Sequence, residues 1–523
     1  MKIRFVVSFF ALLMVASPGS SQSRWVHLDT ETGKLIYDTS QRGDRILDFS
    51  HAGYMGGGVA LPQVPDVLTI GPEKGVDDYT SRIQDAIDRV SSLPLNNGFR
   101  GAVRLLPGEY PCSGGIRIYA DGVVLRGSGT ASGKQSTIRM SGKDRHSAVV
   151  IGPGQRRREE MSGEGIRTKI TDAYIPAGSS SFHVEDPSLF KAGDFVLVCK
   201  PVTRKWIHFM QMDDLYRDGK HQTWLGAGTY LQVPRMISKI EGNRILLSVP
   251  LPDSYDKVYT NDGTLLMKAP SVDMPCQCGV EHLVIVSPDQ AVSHTVAKYY
   301  GIRVTGEDCW LDDVDLFETM ESVGASGQRI TFREVHVIRK ALHQGSSKPA
   351  EFAPNATQIL LDRCSVEGDN IWFVATGARV PGPIVLLNCR FKGKGNIEGH
   401  HRWTTGMLVD NCQVSEGGIN FMNRGSMGSG HGWGMAWAVA WNCTAKFYVN
   451  QRPPGTYNWV IGSVGESRLQ ARPFDKAPFL PEGTFDAHGT RVSPGSLYLS
   501  QLKERLGSQA LDNIGYGQEQ DCL

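Results

Sequence analysis

The chain has 523 residues, and its 55 lysines and arginines nearly balance 54 aspartates and glutamates. That balance excludes a global field for nucleic acid, so a charged partner must be met locally. The length allows a large core and suggests several domains unless the fold is a barrel or a repeat solenoid, and 59 glycines with 27 prolines suit a chain built of turns.

Residues 1–21 read as a signal peptide. Lys2 and Arg4 precede the apolar run 5–15, and small residues follow up to Ser21. The run is too short to anchor a mature protein in a bilayer, and no later stretch reaches that length. The expected location is therefore secreted or periplasmic, with cleavage near Ser21 and no membrane anchor.

Residues 22–168 form the first structural segment. TSRIQDAIDRV (80–90) places Ile83, Ile87 and Val90 on one face of an amphipathic helix. GAVRLLPGEY, GIRIYADGVVLRGSG and STIRM follow as strands divided by glycine turns. Residues 169–258 break this rhythm with short antiparallel strand patterns and read as an inserted β domain. Its centre, RKWIHFMQMDDLYRDGKHQTWLGAG, is rich in aromatic and charged residues.

Residues 259–465 carry a repeat. LDDVDLF, FREVHVI, LDRCSVE, LNCRFKG, VDNCQVS and AWNCTAK align Val314, Val335, Cys364, Cys389, Cys412 and Cys443, at separations of 21, 29, 25, 23 and 31 residues. Such spacing fits the coils of a parallel β-helix, with excess residues leaving as loops. The fold expected is all-β, a right-handed parallel β-helix. The aligned residues then point inward, which makes the four cysteines buried free thiols rather than disulfide partners, although an exported chain would favour disulfides. Asn388, Asn411 and Asn442 immediately precede the column and would stack as an amide ladder. Residues 466–523 form a tail whose Leu499, Leu502 and Leu506 have helical spacing and would pack on the outside of the solenoid.

Counting forward from the inward column aligns Leu342, Ile371, Ile397 and Ile419, then His343, Trp372, Glu398 and Asn420. A few residues on, His400, His401 and Arg402 fall opposite Met422, Asn423 and Arg424, with Gln451 and Arg452 one coil beyond; Trp403 follows Arg402, and His431 and Trp433 stand among glycines in GSGHGWG (428–434). Imidazoles titrate near working pH, guanidiniums hold carboxylates, and indoles stack on sugar rings. The pattern suits β-elimination on a uronic-acid polysaccharide. Arg402 or Arg424 would bind the carboxylate, and one of His400, His401 and His431 would act as base. Asn423, Trp403, Trp433 and His343 would complete the binding site. The rival chemistry is glycoside hydrolysis, which needs two carboxyl groups; Glu398, Asp410 and Asp369 are the candidates. A non-catalytic carbohydrate-binding or adhesion solenoid is the third reading. The acidic cluster Asp312, Asp313 and Asp315 reads as a solvated face, and Cys276 with Cys278 is too sparse for a metal site.

GVDDYTSRIQDAID with the strands after it, GHHRWTTGMLVDNC, NRGSMGSGHGWGMAWAVAWNC and GIRVTGEDCWLDDV resemble the pectate-lyase-like parallel β-helix superfamily of exported bacterial proteins. The resemblance covers about 300 residues, up to Gly465. It implies that the helix at 80–90 caps the open end of the solenoid and that the chain is a polysaccharide lyase. Pectate lyases of this superfamily use aspartate-held calcium and an arginine base. No calcium set matches here residue by residue, so no metal ligand or cofactor is assigned and calcium stays open. The expected partner is an anionic polysaccharide, with no nucleic acid, and the chain is expected to be a monomer.

Overall fold

A computed structural model describes residues 21–153, 165–270, 273–474 and 479–517. Residues 1–20 and 518–523 lie outside the described residues, so the signal-peptide reading falls there except for its last residue.

The strands stack in parallel into a solenoid with three sheets per coil. In the first sheet the register runs from Gly101 to Val123, and through Val124 to Gly279 and Trp310. It continues through Thr331, Leu360, Val385, Leu408, Val439 and Trp459. The second sheet holds the inward column. Val314 pairs with Val335, and the neighbouring pairs His336–Ser365, Ser365–Arg390, Arg390–Gln413 and Gln413–Thr444 carry the register through Cys364, Cys389, Cys412 and Cys443. All four thiols are buried and free. Each sulfur lies 3.1–3.4 Å from a carbonyl oxygen of an earlier coil. Burial pushes the thiols of Cys364, Cys389 and Cys412 well above their ordinary pKa, which keeps them protonated and inert.

The residue before this column bends the chain between sheets in the left-handed conformation. Asp313, Glu334, Arg363, Asn388, Asn411 and Asn442 all have φ between 51° and 52°. Asparagine tolerates that conformation best among residues with a side chain, which explains its place on the later coils. Asn411 donates to Asn388 Oδ1 at 2.6 Å, whereas Asn442 leaves the ladder and holds the tail through Val492.

The helix Thr80–Ser91 buries Ile83, Ala86, Ile87 and Val90 in the same core as the first coils. A six-stranded antiparallel sheet interrupts the solenoid. It includes Arg167–Lys169 and Leu265–Lys268 as well as Phe195–Pro201 and Tyr230–Glu241, so it reaches beyond 169–258 on both sides. Phe182, Val196, Val198, Val233, Ile237 and Ile245 give it a core of its own. The tail helix Leu497–Leu506 lays Leu497, Tyr498, Leu499 and Leu502 against the outward side chains of the first sheet, among them Leu360, Val385, Leu387 and Val439.

One expected register is wrong. Trp372 pairs with Asn396, a bulge follows, and Ala375 rather than Trp372 stands beside Glu398. Leu342 and His343 lie in a loop before the strand Ala350–Pro354, with Leu342 61% exposed and His343 buried. Loop and bulge lengths differ between coils, so counting residues from the second sheet into the third slips.

Candidate functional site

The third sheet carries the site on its outer face. Arg303 pairs with Gly324, Gly324 with Ala353, Ala375 with Glu398, and Glu398 with Asn420. Pairing of Phe352 with Val374 places Ala353 beside Ala375. Side chains in this sheet alternate faces, so this column points away from the core. Small residues at its centre leave an open cleft of about 690 Å³.

At one end of the cleft three imidazoles meet. The rings of His400, His401 and His431 have centroid separations of 5.0, 4.8 and 5.2 Å. The Trp372 ring stands edge-on to His400 at 4.3 Å. Arg424 donates from Nη1 to His400 Nδ1 at 2.8 Å and to the His400 carbonyl at 2.9 Å. The same nitrogen lies 3.2 Å from Glu398 Oε1, an ion-pair distance though out of line for a hydrogen bond. Both side chains are about 5% exposed, so the pair is desolvated and each charge depends on the other. Because a guanidinium only donates, His400 Nδ1 must accept and its proton must reside on Nε2. Arg424 Nη2 contacts only Met427 Sδ, at 3.6 Å, and remains available to the cleft.

Burial is the main force on all three imidazoles and opposes their charged form. It is joined by the charge of Arg424 at His400 and His431, and of Arg402 at His401. The pKa values fall to about 2 for His400, about 4 for His401 and about 3 for His431. All three are therefore neutral at ordinary pH, as acceptance of a proton requires. His431 depends on Gly428, where a Cβ atom would stand 2.2 Å from the ring nitrogen Nε2.

The stretch after Gly399 is a turn rather than a ridge. Arg402 and Trp403 have φ of 55° and 75°. Their amides donate to the carbonyls of His431 and Trp433, which locks this turn to the loop 428–434. Arg402 does not line the cleft. Its guanidinium donates to the carbonyls of Trp224, Thr223 and Ser429 and to Ser429 Oγ, tying the inserted domain to that loop. Trp403 and Trp433 are buried and donate to Asp253 and to the Met210 carbonyl, so neither ring is free for a sugar. Asn423 is fully buried and caps Gly425 N. His343 is buried outside the cleft, with Nδ1 against the Val292 carbonyl. Thus His400, His401, His431 and Arg424 come together in the cleft, and the other expected residues build its supports.

The structure adds residues that the repeat pattern did not reveal. Arg303, Glu321, His294, Lys348 and Asn355 line the cleft beside Trp372, which the aligned column had included, with Arg217 and Phe474 at its rim. Arg217 stacks over the Phe474 ring at 4.4 Å, and that ring is 63% exposed. Glu321 is the one carboxylic acid in this lining, and Arg303 holds it at 3.0 Å. Calcium takes six to eight oxygen ligands, which one engaged carboxylate does not supply. Among the described residues no group of three His, Cys, Asp or Glu side chains is arranged to hold a metal ion. Of the hydrolytic candidates, Asp410 is fully buried beneath the tail helix and Glu398 is committed to Arg424.

No family model and no curated protein matches the chain. Solved structures with some likeness include a tailspike of Acinetobacter baumannii bacteriophage AP22 in complex with capsular saccharide. It is 10% identical, covers 80% of this chain and 73% of its own, and has a TM-score of 0.27. A mannuronan C-5 epimerase A-module of Azotobacter vinelandii is 11% identical, with 80% and 96% covered and a TM-score of 0.32. A tailspike double mutant of E. coli bacteriophage HK620 is 10% identical, with 80% and 62% covered and a TM-score of 0.39. Likenesses this distant carry no argument about activity, and the parallel β-helix stands on the strand registers.

Proposed function

We propose that this protein is a secreted polysaccharide lyase that cleaves a uronic-acid-containing polysaccharide by β-elimination. The observation that carries the reading is the charge of the cleft. Arg217, Arg303, Lys348 and Arg424 face one carboxylate in the lining, and the neutral rings of His400, His401 and His431 add polar nitrogens but no charge. A polyanion is the ligand such a lining attracts.

Arg424 Nη2 and the Nε2–H of His400 donate to the uronate carboxylate, which delocalises the charge that develops when C5 loses its proton. His401 or His431 takes that proton as a neutral imidazole. The C5 electron pair forms the C4–C5 double bond, the C4–O bond breaks, and the departing oxygen takes its proton from the imidazolium just formed, which returns that ring to its neutral state. Binding of the carboxylate beside these rings favours their charged form and raises a base that is weak in the free protein. Arg402 acts as a positioning residue for the loop that carries His431. Hydrolysis would need a carboxyl pair across the bond, and Glu321 alone faces the cleft.

The test is ultraviolet absorbance of unsaturated uronyl products during incubation with a panel of uronate polysaccharides. A rise in absorbance is expected, and it should be lost in His401→Ala with His431→Ala. New reducing ends without absorbance would establish a hydrolase, and binding with neither product a non-catalytic module.

A further inference from the structure

We propose that the cleft is an axial trough in which a chain of uronates lies along the solenoid, with Lys348 as a second carboxylate subsite. The identity of the reacting end rests on the lyase reading, whereas the direction of the chain and the second subsite rest on the walls and charges of the cleft.

The walls set the direction. Glu321, residues 346–348 and Trp372, from three successive coils, stand where the strands of the third sheet begin, and Asn355, Gly377 and His400 stand where they end. Both barriers run across successive coils, so a polymer between them must cross the strands and follow the solenoid axis. The floor along that path is Gly324, Ala353 and Ala375, and Ala353 is half-buried and faces the space. A Cβ atom at Gly324 would come within 2.7 Å of Arg303 Nη1, so a side chain there would displace that guanidinium.

The charges set the second subsite. The coil that carries Lys348 and Ala353 lies two steps from the coil of Glu398 and His400, or roughly 10 Å at the usual strand spacing. Arg303 lies two steps further, but Glu321 already neutralises it. Lys348 forms no ion pair with a described residue. The backbone beside it is fixed on both sides. His294 Nδ1 meets the Ser347 carbonyl at 2.9 Å, and Trp372 N donates to the Pro349 carbonyl at 2.9 Å. A free ammonium at the pinned end of the loop 339–349 is suited to a carboxylate on a neighbouring sugar of the same chain.

The experiment measures calorimetric affinity of the full-length protein for hexauronates and diuronates built from galacturonate, mannuronate, guluronate or glucuronate. Lys348→Ala and Ala353→Leu should each weaken hexauronate binding about tenfold and move diuronate binding less than about twofold. Ala353→Leu obstructs the floor without changing charge, and Lys348→Ala still tests the subsite if the leucine variant fails to fold. Equal losses for both lengths, no loss in Lys348→Ala, or no binding of any hexauronate would overturn the trough. Length-dependent losses in a protein that releases no unsaturated product would remove the lyase reading and leave the trough standing.

Discussion

At the scale of single residues, the site is governed by one buried ion pair. Arg424 and Glu398 are almost fully desolvated, and Arg424 also fixes the tautomer of His400. Replacing Arg424 by Met keeps much of its length but leaves Glu398 charged in a dry place. Loss of one partner of such a pair costs about 3–5 kcal/mol, so Arg424→Met should lower the unfolding free energy by that order in urea titration. Glu398→Gln with Arg424→Met should recover much of the loss, because the double variant buries no charge. Activity should fall in both. The basic crowding from His400 to His431 was legible in the sequence because these residues lie close along the chain. Lys348 and Arg303 were not, because only the lengths of intervening loops bring them to the same cleft. Arg402, Trp403 and Trp433 show the opposite failure: residue types suited to sugar binding are occupied by backbone carbonyls and Asp253.

At the scale of elements, the second sheet and its turns were readable because one column repeats the same demand on every coil. The inward position accepts valine or cysteine, and the residue before it must take a positive φ. That demand is testable at Asn411, where φ is 52°. Asn411→Ala should destabilise the protein by about 1–2 kcal/mol, and Asn411→Gly by less, since glycine adopts this conformation without a Cβ clash. Thermal melting of the two variants decides it. The third sheet was misread because its coils differ by a bulge at Trp372 and a long loop before Ala350. The tail helix adds a dependence on pH. Asp410 accepts from Ser496 Oγ at 2.7 Å and from Tyr498 N at 2.8 Å, yet complete burial pushes its pKa up to about 7. A folded-state pKa above the unfolded value means that this group's contribution is complete below about pH 4 and is lost as pH rises through 7. In Asp410→Asn that contribution vanishes, so stability measured by urea titration should decline less between pH 4 and 8 than in the parent protein. Above pH 7 the variant should be the more stable of the two.

At the scale of the whole molecule, the inserted domain is part of the site's scaffold rather than an appendage. Its Trp206 and Trp224 lie 5.1 Å apart and pack with Trp403 of the solenoid at ring separations of 5.5 and 5.6 Å. Beneath them Asp253 accepts from the indoles of Trp403 and Trp437 and from Lys200 Nζ, at 2.9, 3.0 and 3.1 Å. Arg235 of the same domain is fully buried and donates to the carbonyls of Pro250 and Gly382. The sequence breaks its rhythm where the antiparallel sheet lies, but no local pattern gives that sheet's contacts with coils about 150 residues further on. The domain braces the loop of His431 through Trp224, whose carbonyl receives Arg402 and whose ring fills the space that any side chain at Gly432 would need. Asp253→Ala removes the common acceptor. It leaves Lys200 charged and buried and strands two indole N–H groups, which together should cost about 3–5 kcal/mol. Asp253→Asn keeps one carbonyl oxygen for an indole but no charge for Lys200, and should fall between the parent and the alanine variant. If the domain acts as a brace, lyase turnover should decline in the same order while the folded fraction at assay temperature stays near complete. Full activity in folded Asp253→Ala would show that the imidazole cluster keeps its geometry without the inserted domain's support.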